Sequence, residues 1–183
     1  MAKAGPVPGL HPRASLLENA RAIVATRTAE MFHFEYAIGD PDKDEDLHNM
    51  RIAAKRLRYT LEMFRVLLKP DGVEIVDTVK ELQERIGVIH DADVLADIAH
   101  RRLAVVAQRQ VEALVGATST GEDERRVADV RAIATAANDP RLGLAVLLAH
   151  TRAERDHNWN ALTGWWAEHG GAALRGRLDG CLG

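Results

Sequence analysis

One stretch of the chain places positively charged side chains at the spacing of a single helix face. Within residues 47–68, the polar residues that recur every three or four positions are His48, Arg51, Lys55, Arg58, Glu62 and Arg65. Only one of these six is acidic, whereas an ordinary solvated helix face mixes charges of both signs. Side chains at this spacing lie about 5–6 Å apart, so successive cations could meet successive phosphoryl groups of a linear polymer. The pattern predicts a surface that binds an oligoanion.

The alternative interpretation is a solvated face on which arginine and lysine stems cover the edge of a core. The formal net charge of −3 over 183 residues argues against a protein that coats nucleic acid in general. Any anion site must therefore be a local concentration of charge.

The same stretch carries an apolar seam that would position the basic face. Its members, at helical spacing, are Met50, Ala54, Leu57, Leu61, Phe64 and Leu68. Gly39–Asp46 precedes it with a candidate Asp N-cap and a proline, and Lys69–Gly72 follows as a turn cluster. We therefore predict a helix over about residues 42–68. The acids of its first turn are explained by the helix dipole.

Apolar periodicity elsewhere in the chain also predicts helices. They cover about residues 15–37 with Ser15 as N-cap, 73–90, 92–115, 124–137 and 141–169, with a break or a kink at His90–Asp91 and a loop over 116–123. Aromatic residues make up only 4% of the chain, which favours close helix packing over a β-sandwich. We predict an all-α, antiparallel bundle of about six helices over 13–169. A flexible tail (1–12) would precede it and a Gly-rich tail (170–183) would follow.

The cysteine content and hydropathy predict a cellular compartment. Cys181 is the single cysteine, so no internal disulfide can form. No run of 18 apolar residues is present, and the N-terminus lacks a signal-peptide core. We expect a soluble, cytoplasmic protein.

His90 and Asp91 raise a different chemical hypothesis. HD-type metal-dependent phosphohydrolases use such a pair with further ligands, for which His48, Asp93 or His100 are available. Against this, adjacent residues on a helix point about 100° apart, and no second histidine shows clear ligand spacing. A helix-end or core role for His90 is favoured. We expect Gly87, inside a helix, to permit close approach of a neighbouring backbone or a ligand, with a helix crossing favoured.

Two segments resemble the CHAD family, the conserved-histidine α-helical domains. In that family a histidine leads a basic helix of the form His-x-x-Arg-hydrophobic-x-x-basic-Arg-x-Arg. Residues 47–59 are similar to this signature at His48, Arg51, Ile52, Lys55, Arg56 and Arg58. Residues 80–95 resemble the family's Leu-Gln-x-x-hydrophobic-Gly segment with its Asp-x-Asp-Val turn. The two segments together span about half of the chain.

The resemblance implies a non-catalytic protein that binds inorganic polyphosphate, without a cofactor or metal. The binding residues that match the family's basic helix are His48, Arg51, Lys55, Arg56 and Arg58. Arg65, on the same helical stripe, and Lys80, on the next helix, complete the predicted binding residues. The helical wheel points Arg56 toward packing or another face. Some members lie beside or within triphosphatase-type proteins, which implies an accessory role in polyphosphate metabolism or granules. A metal-dependent phosphohydrolase and a structural scaffold remain the alternatives.

The chain departs from the family in its number of basic helices. Typical members carry two copies of the His-led helix, whereas one is visible here. A second subunit could supply the other copy, because two such helices on a shared surface would raise the potential along a bound polymer. We therefore predict a homodimer. Trp159, Trp165 and Trp166, or the apolar flank of the 92–115 helix, would form its contact.

Overall fold

The computed structural model describes residues 3–119, 123–134 and 139–183. Regular structure in these residues is helical, apart from an isolated antiparallel bridge between Leu68 and Leu182. The α-helices are α1 (Leu16–Phe32), α2 (Asp44–Met63), α3 (Gly72–Ser119), α4 (Asp123–Ala134), α5 (Pro140–His169) and α6 (Gly171–Asp179). The predicted all-α bundle of about six helices is confirmed. None of the described helices combines the length and apolarity needed to cross a membrane.

Helix α1 begins at the predicted cap. Ser15 Oγ accepts a hydrogen bond from the Glu18 backbone N–H (3.2 Å), and Glu18 Oε2 accepts one from the Ser15 backbone N–H (2.8 Å). This reciprocal pair is a capping box, and it satisfies two backbone donors that a helix start leaves free. The helix ends at Phe32, earlier than predicted, and a short 3₁₀ helix, Glu35–Gly39, follows.

Helix α2 buries its predicted seam but begins differently. Met50, Ala54, Leu57 and Leu61 are fully buried. Lys43 occupies the N-cap position and no side chain caps the helix, so the predicted Asp N-cap is wrong. The acidic residues instead lie inside the first turn, where the helix dipole stabilises their charge. The helix ends at Met63, and a 3₁₀ turn, Arg65–Leu67, completes the segment.

Helix α3 is continuous through His90 and Asp91, so the predicted break there is wrong. Neither residue removes a backbone donor or clashes with the preceding turn, as proline would. The chain nevertheless divides at this point into two compact units. Unit 1 contains residues 1–90 and 156–183, and unit 2 contains residues 91–155. This division differs from the single domain predicted over 13–169. Helix α3 has 48 residues and is about 70 Å long. This length is greater than the diameter of one small hydrophobic core.

The C-terminal residues belong to the core of unit 1, whereas the sequence predicted that a Gly-rich tail over 170–183 would follow the bundle. Leu174, Leu178, Cys181 and Leu182 are buried. Backbone hydrogen bonds from Lys69 N to Cys181 O (2.9 Å) and from Gly183 N to Leu67 O (3.0 Å) join this segment to the turn after α2. The four glycines of this segment concealed the helical spacing of Leu174 and Leu178, which lie one turn apart on α6.

The first residues of the chain also contact unit 1. The Gly5 backbone N–H donates to Glu30 Oε1 (2.7 Å), and the His11 backbone N–H donates to Asn19 Oδ1 (3.0 Å). The described part of the predicted flexible tail is thus hydrogen-bonded to α1. Residues 1 and 2 of that tail lie outside the described residues.

The three tryptophans are core residues of unit 1. Trp159, Trp165 and Trp166 are each less than 10% exposed. Trp159 Nε1 donates to the Ile38 carbonyl (2.9 Å), which anchors α5 to the 3₁₀ helix after α1. Their burial removes them as candidates for the contact of a homodimer.

Unit 2 has little core of its own. Among its described hydrophobic residues, Ala92, Ala99 and Leu148 are buried. Its exposed large hydrophobic residues are Val94, Leu95, Ile98, Val105, Val111, Val115, Val127, Leu142, Val146 and Leu147. The predicted loop over 116–123 begins later, because α3 continues to Ser119. Residues 120–122 and 135–138, which include the end predicted for the fifth helix, lie outside the described residues.

Replacing Leu174 with Ala tests the role of the C-terminal segment. Leu174 is fully buried, so its truncation should lower the free energy of unfolding by about 2–5 kcal/mol. Urea denaturation of the whole chain measures this value. Arg177→Ala, at an exposed position of the same helix, should have a much smaller effect. Equal effects of the two variants would contradict a core role for α6.

Candidate functional site

The basic face of α2 lies against the first part of α3 within unit 1, and the two helices run in opposite directions. His48 faces His90, and Arg51 faces Gly87. Further along, Arg58 and Lys80 line the same cleft. Residue numbers rise along α2 as they fall along α3, which is the register of an antiparallel pair. The basic surface, as we define it, consists of His48, Arg51, Lys55, Arg58, Arg65 and Lys80.

Gly87 gives Arg51 its position. A Cβ atom at residue 87 would lie 3.3 Å from Arg51 Nε and 3.6 Å from Arg51 Nη2. Glycine at this point therefore lets the guanidinium lie directly against the backbone of α3. The neighbour at Gly87 is an arginine side chain, so the favoured prediction of a crossing backbone at this position is wrong. The half-buried guanidinium consequently loses less freedom when it binds a ligand.

His48 and His90 form a ring pair between the two helices. Their ring centroids are 4.2 Å apart, with the planes tilted by 36°. Burial is the main factor that lowers the pKa of His48 below its ordinary value of 6.5, and the charges of His90 and Arg51 lower it further. Glu45 acts in the opposite direction. In the absence of an anion, His48 therefore remains neutral at neutral pH.

Several buried polar atoms of α2 and α3 have no hydrogen-bond partner among the described residues. They are His48 Nδ1, Arg51 Nε, Arg58 Nε and Gln83 Oε1. A buried polar atom without a hydrogen bond costs about 1–3 kcal/mol, which a bound water or ligand would offset. Arg58 Nε differs from the others because it also lies 3.6 Å from Glu62 Oε1. Gln83 was absent from the predicted site. Its spacing to Lys80, Gly87 and His90, at three, four and seven residues, is the sequence signal that could have found it.

The C-terminal end of α2 opens into a cleft of about 500 Å³. Arg58, Arg65 and Lys80 contribute three cations to it, and Glu62 and Asp77 contribute two acids. Arg58 lies 3.6 Å from Glu62 and 4.8 Å from the centroid of the Tyr59 ring. The remaining walls of the cleft are apolar and come from Leu68, Val73 and Val76. The structure thus brings Arg65 and Lys80 together with the basic face, as predicted.

Arg56 does not join this surface. Its Nη1 lies 3.4 Å from Glu30 Oε2 of α1, and Arg27 pairs with the same carboxylate. The arginine therefore links α2 to α1 on another face of the helix. This agrees with the helical wheel rather than with the assignment of Arg56 to binding, and we leave it out of the basic surface.

The described residues do not assemble the ligands of a metal site. They contain no group of three or more His, Cys, Asp or Glu side chains placed to hold an ion. Asp93, one of the predicted additional ligands, pairs with Arg155 at 2.5 Å. His90 lies in the middle of α3 with its ring against His48, so the predicted helix-end role is wrong.

The fold and this surface define an all-α protein in which a histidine leads a basic helix packed against a second helix. A family model described as CHAD domain matches residues 5–100, which is more than half of the chain. The chain belongs to the CHAD family. No curated protein and no solved structure matches it.

Proposed function

We propose that the protein binds inorganic polyphosphate, or a similar linear oligophosphate, along the basic surface without transforming it. The alignment of cations and unpartnered buried polar atoms along α2 and α3 carries this proposal. Family membership supports it through what the resemblance to CHAD domains implies. An accessory role in polyphosphate metabolism or granules, in the cytoplasm, is part of the same proposal.

The geometry of the basic surface suits an extended polymer. From His48 to Arg58, α2 advances about 15 Å at 1.5 Å per residue, so the cations of the helix follow one line rather than surrounding one point. Arginine presents a planar fork that matches phosphate oxygens, and lysine adds a compact charge. Lys55 and Arg65 are exposed, while His48, Arg51 and Arg58 are half-buried. A polymer would therefore contact both half-buried and exposed groups.

Removing three cations tests the proposed surface. The triple variant in which Arg51, Lys55 and Arg58 are changed to Ala should no longer bind long-chain polyphosphate. Each cation that is lost removes one electrostatic attraction, and one counterion fewer is released when the polymer binds. Binding isotherms at several salt concentrations give the affinity and its salt dependence. Circular dichroism should show unchanged helical content.

The matched control removes three positive charges from the part of α3 that belongs to unit 2. Arg101, Arg102 and Arg109 are exposed arginines of unit 2, and the triple Ala variant should bind nearly as well as the unmodified protein. Equal loss in both triple variants would show only a dependence on net charge. Undiminished binding by the first variant would place the site elsewhere, and absent binding by the unmodified protein would favour a structural scaffold.

The absence of catalysis requires its own experiment. Protein given polyphosphate or nucleotides with magnesium or manganese should release no phosphate above background, because we propose a binding function alone. A colorimetric phosphate assay measures this directly. Turnover that disappears in His90→Ala or Asp91→Ala would instead establish the metal-dependent phosphohydrolase.

We also propose that the protein is a homodimer whose contact lies in unit 2. With the tryptophans buried, the apolar flank of α3 is the remaining predicted contact, and its exposed members include Val94, Leu95 and Ile98. Burying such side chains against a second copy would stabilise association at about 25 cal/mol per Å². The second copy would contribute the additional basic helix.

Light scattering tests this association. The whole chain should show the mass of two protomers, and Leu95→Glu combined with Ile98→Glu should yield monomers, because the added charges would have to be buried. Ala173→Glu, which adds a charge at an exposed position of α6, serves as the control. A monomer that still binds polyphosphate tightly would contradict the dimer while leaving the binding function intact.

A further inference from the structure

We propose that His48, Arg51 and His90 form a proton-coupled subsite, which holds one phosphoryl group and takes up a proton when that group binds. The inference rests on the proposed function and deepens it. It adds His90 to the binding residues and makes pH a regulator of affinity.

The three side chains come from two helices and converge on one place. The His48 and His90 rings lie 4.2 Å apart across the α2–α3 boundary. Gly87, one turn before His90, holds the Arg51 guanidinium against α3. His48 Nδ1 and Arg51 Nε are buried and have no hydrogen-bond partner among the described residues. A phosphoryl oxygen is an acceptor that can satisfy imidazolium and guanidinium N–H groups at the same time.

The surroundings of His48 oppose its protonation in the free protein. Among the described residues, Arg51 and a protonated His90 would repel the added proton, and Glu45 would attract it. Burial, the largest factor, also lowers the pKa of His48. Two imidazolium rings at this separation would repel each other in a partly buried site. His48 therefore takes up a proton more readily once an opposite charge lies beside it.

A bound phosphoryl group reverses this balance. Its negative charge favours the protonated imidazole, so the pKa of His48 rises in the complex and a proton is taken up from solvent. By linkage, the affinity must rise as the pH falls, by up to about tenfold per pH unit for each proton taken up. The window lies between the free-state pKa of His48, which is lowered below 6.5, and the higher pKa of His48 in the complex.

Calorimetry can detect the proton. Long-chain polyphosphate is the appropriate probe, because its internal phosphoryl groups are strong acids and contribute almost no titration near neutrality. Titrations of the full chain in buffers of different ionisation enthalpy should show uptake, and affinity should increase from pH 8 to pH 6. Both effects should be reduced in His90→Asn and in His48→Asn. His157→Asn, at an exposed position of α5, should retain them.

A second measurement, an NMR titration, is made on the unmodified protein. With histidine labelled for NMR, the midpoint of the His48 resonance should move to higher pH when polyphosphate is added. The His48→Asn variant assigns the signal. An unchanged midpoint would overturn the inference, and so would proton uptake that is equal in the unmodified protein and in His90→Asn.

The outcomes separate this inference from the function on which it rests. Binding without proton uptake would overturn the subsite alone and leave the basic surface in place. No binding at any pH between 6 and 8 would overturn both.

Discussion

The antiparallel packing of α2 against the first part of α3 is the constraint on which the rest of unit 1 depends. The buried seam of Met50, Leu57 and Leu61 fixes the rotation of α2. Once that rotation is set, the charged face must lie along the groove beside α3. The register then decides every pairing across the groove, including His48 with His90 and Arg51 with Gly87. A shift of one helical turn would separate all of these pairs together.

The basic surface combines held and mobile cations, and this mixture affects how it can bind. Arg51 lies against the backbone of α3, and Arg58 lies over the Tyr59 ring. Groups fixed in this way lose little conformational entropy on association. The acids Glu62 and Asp77 in the neighbouring cleft moderate the field, so an anion with few charges gains less there than a polymer that spans the whole surface. Under the proposed function, affinity is therefore expected to increase with the length of the polymer.

Sequence patterns predicted the features that depend on one helix alone. The 3.6-residue period located the seam and the basic face of α2, and Ser15 marked the start of α1 through its local capping chemistry. Features that depend on the packing of two elements could not be predicted from the sequence. The neighbour of Gly87 and the partner of Arg56 are set by helix packing, for which a single chain gives no register. The break predicted at His90–Asp91 failed because a unit boundary need not interrupt a helix. In α6, a high glycine content concealed an apolar pair that tertiary packing stabilises.

The buried position of Cys181 gives the molecule an internal reporter of local opening. Burial raises the pKa of its thiol, and the thiolate is the form that reacts with alkylating reagents. The backbone carbonyl of the same residue accepts a hydrogen bond from Lys69, in the turn that follows the basic helix. Modification of this single sulfhydryl therefore requires the C-terminal segment to detach from that turn. The rate of alkylation measures how often that end of α2 loses its support, without any label being introduced.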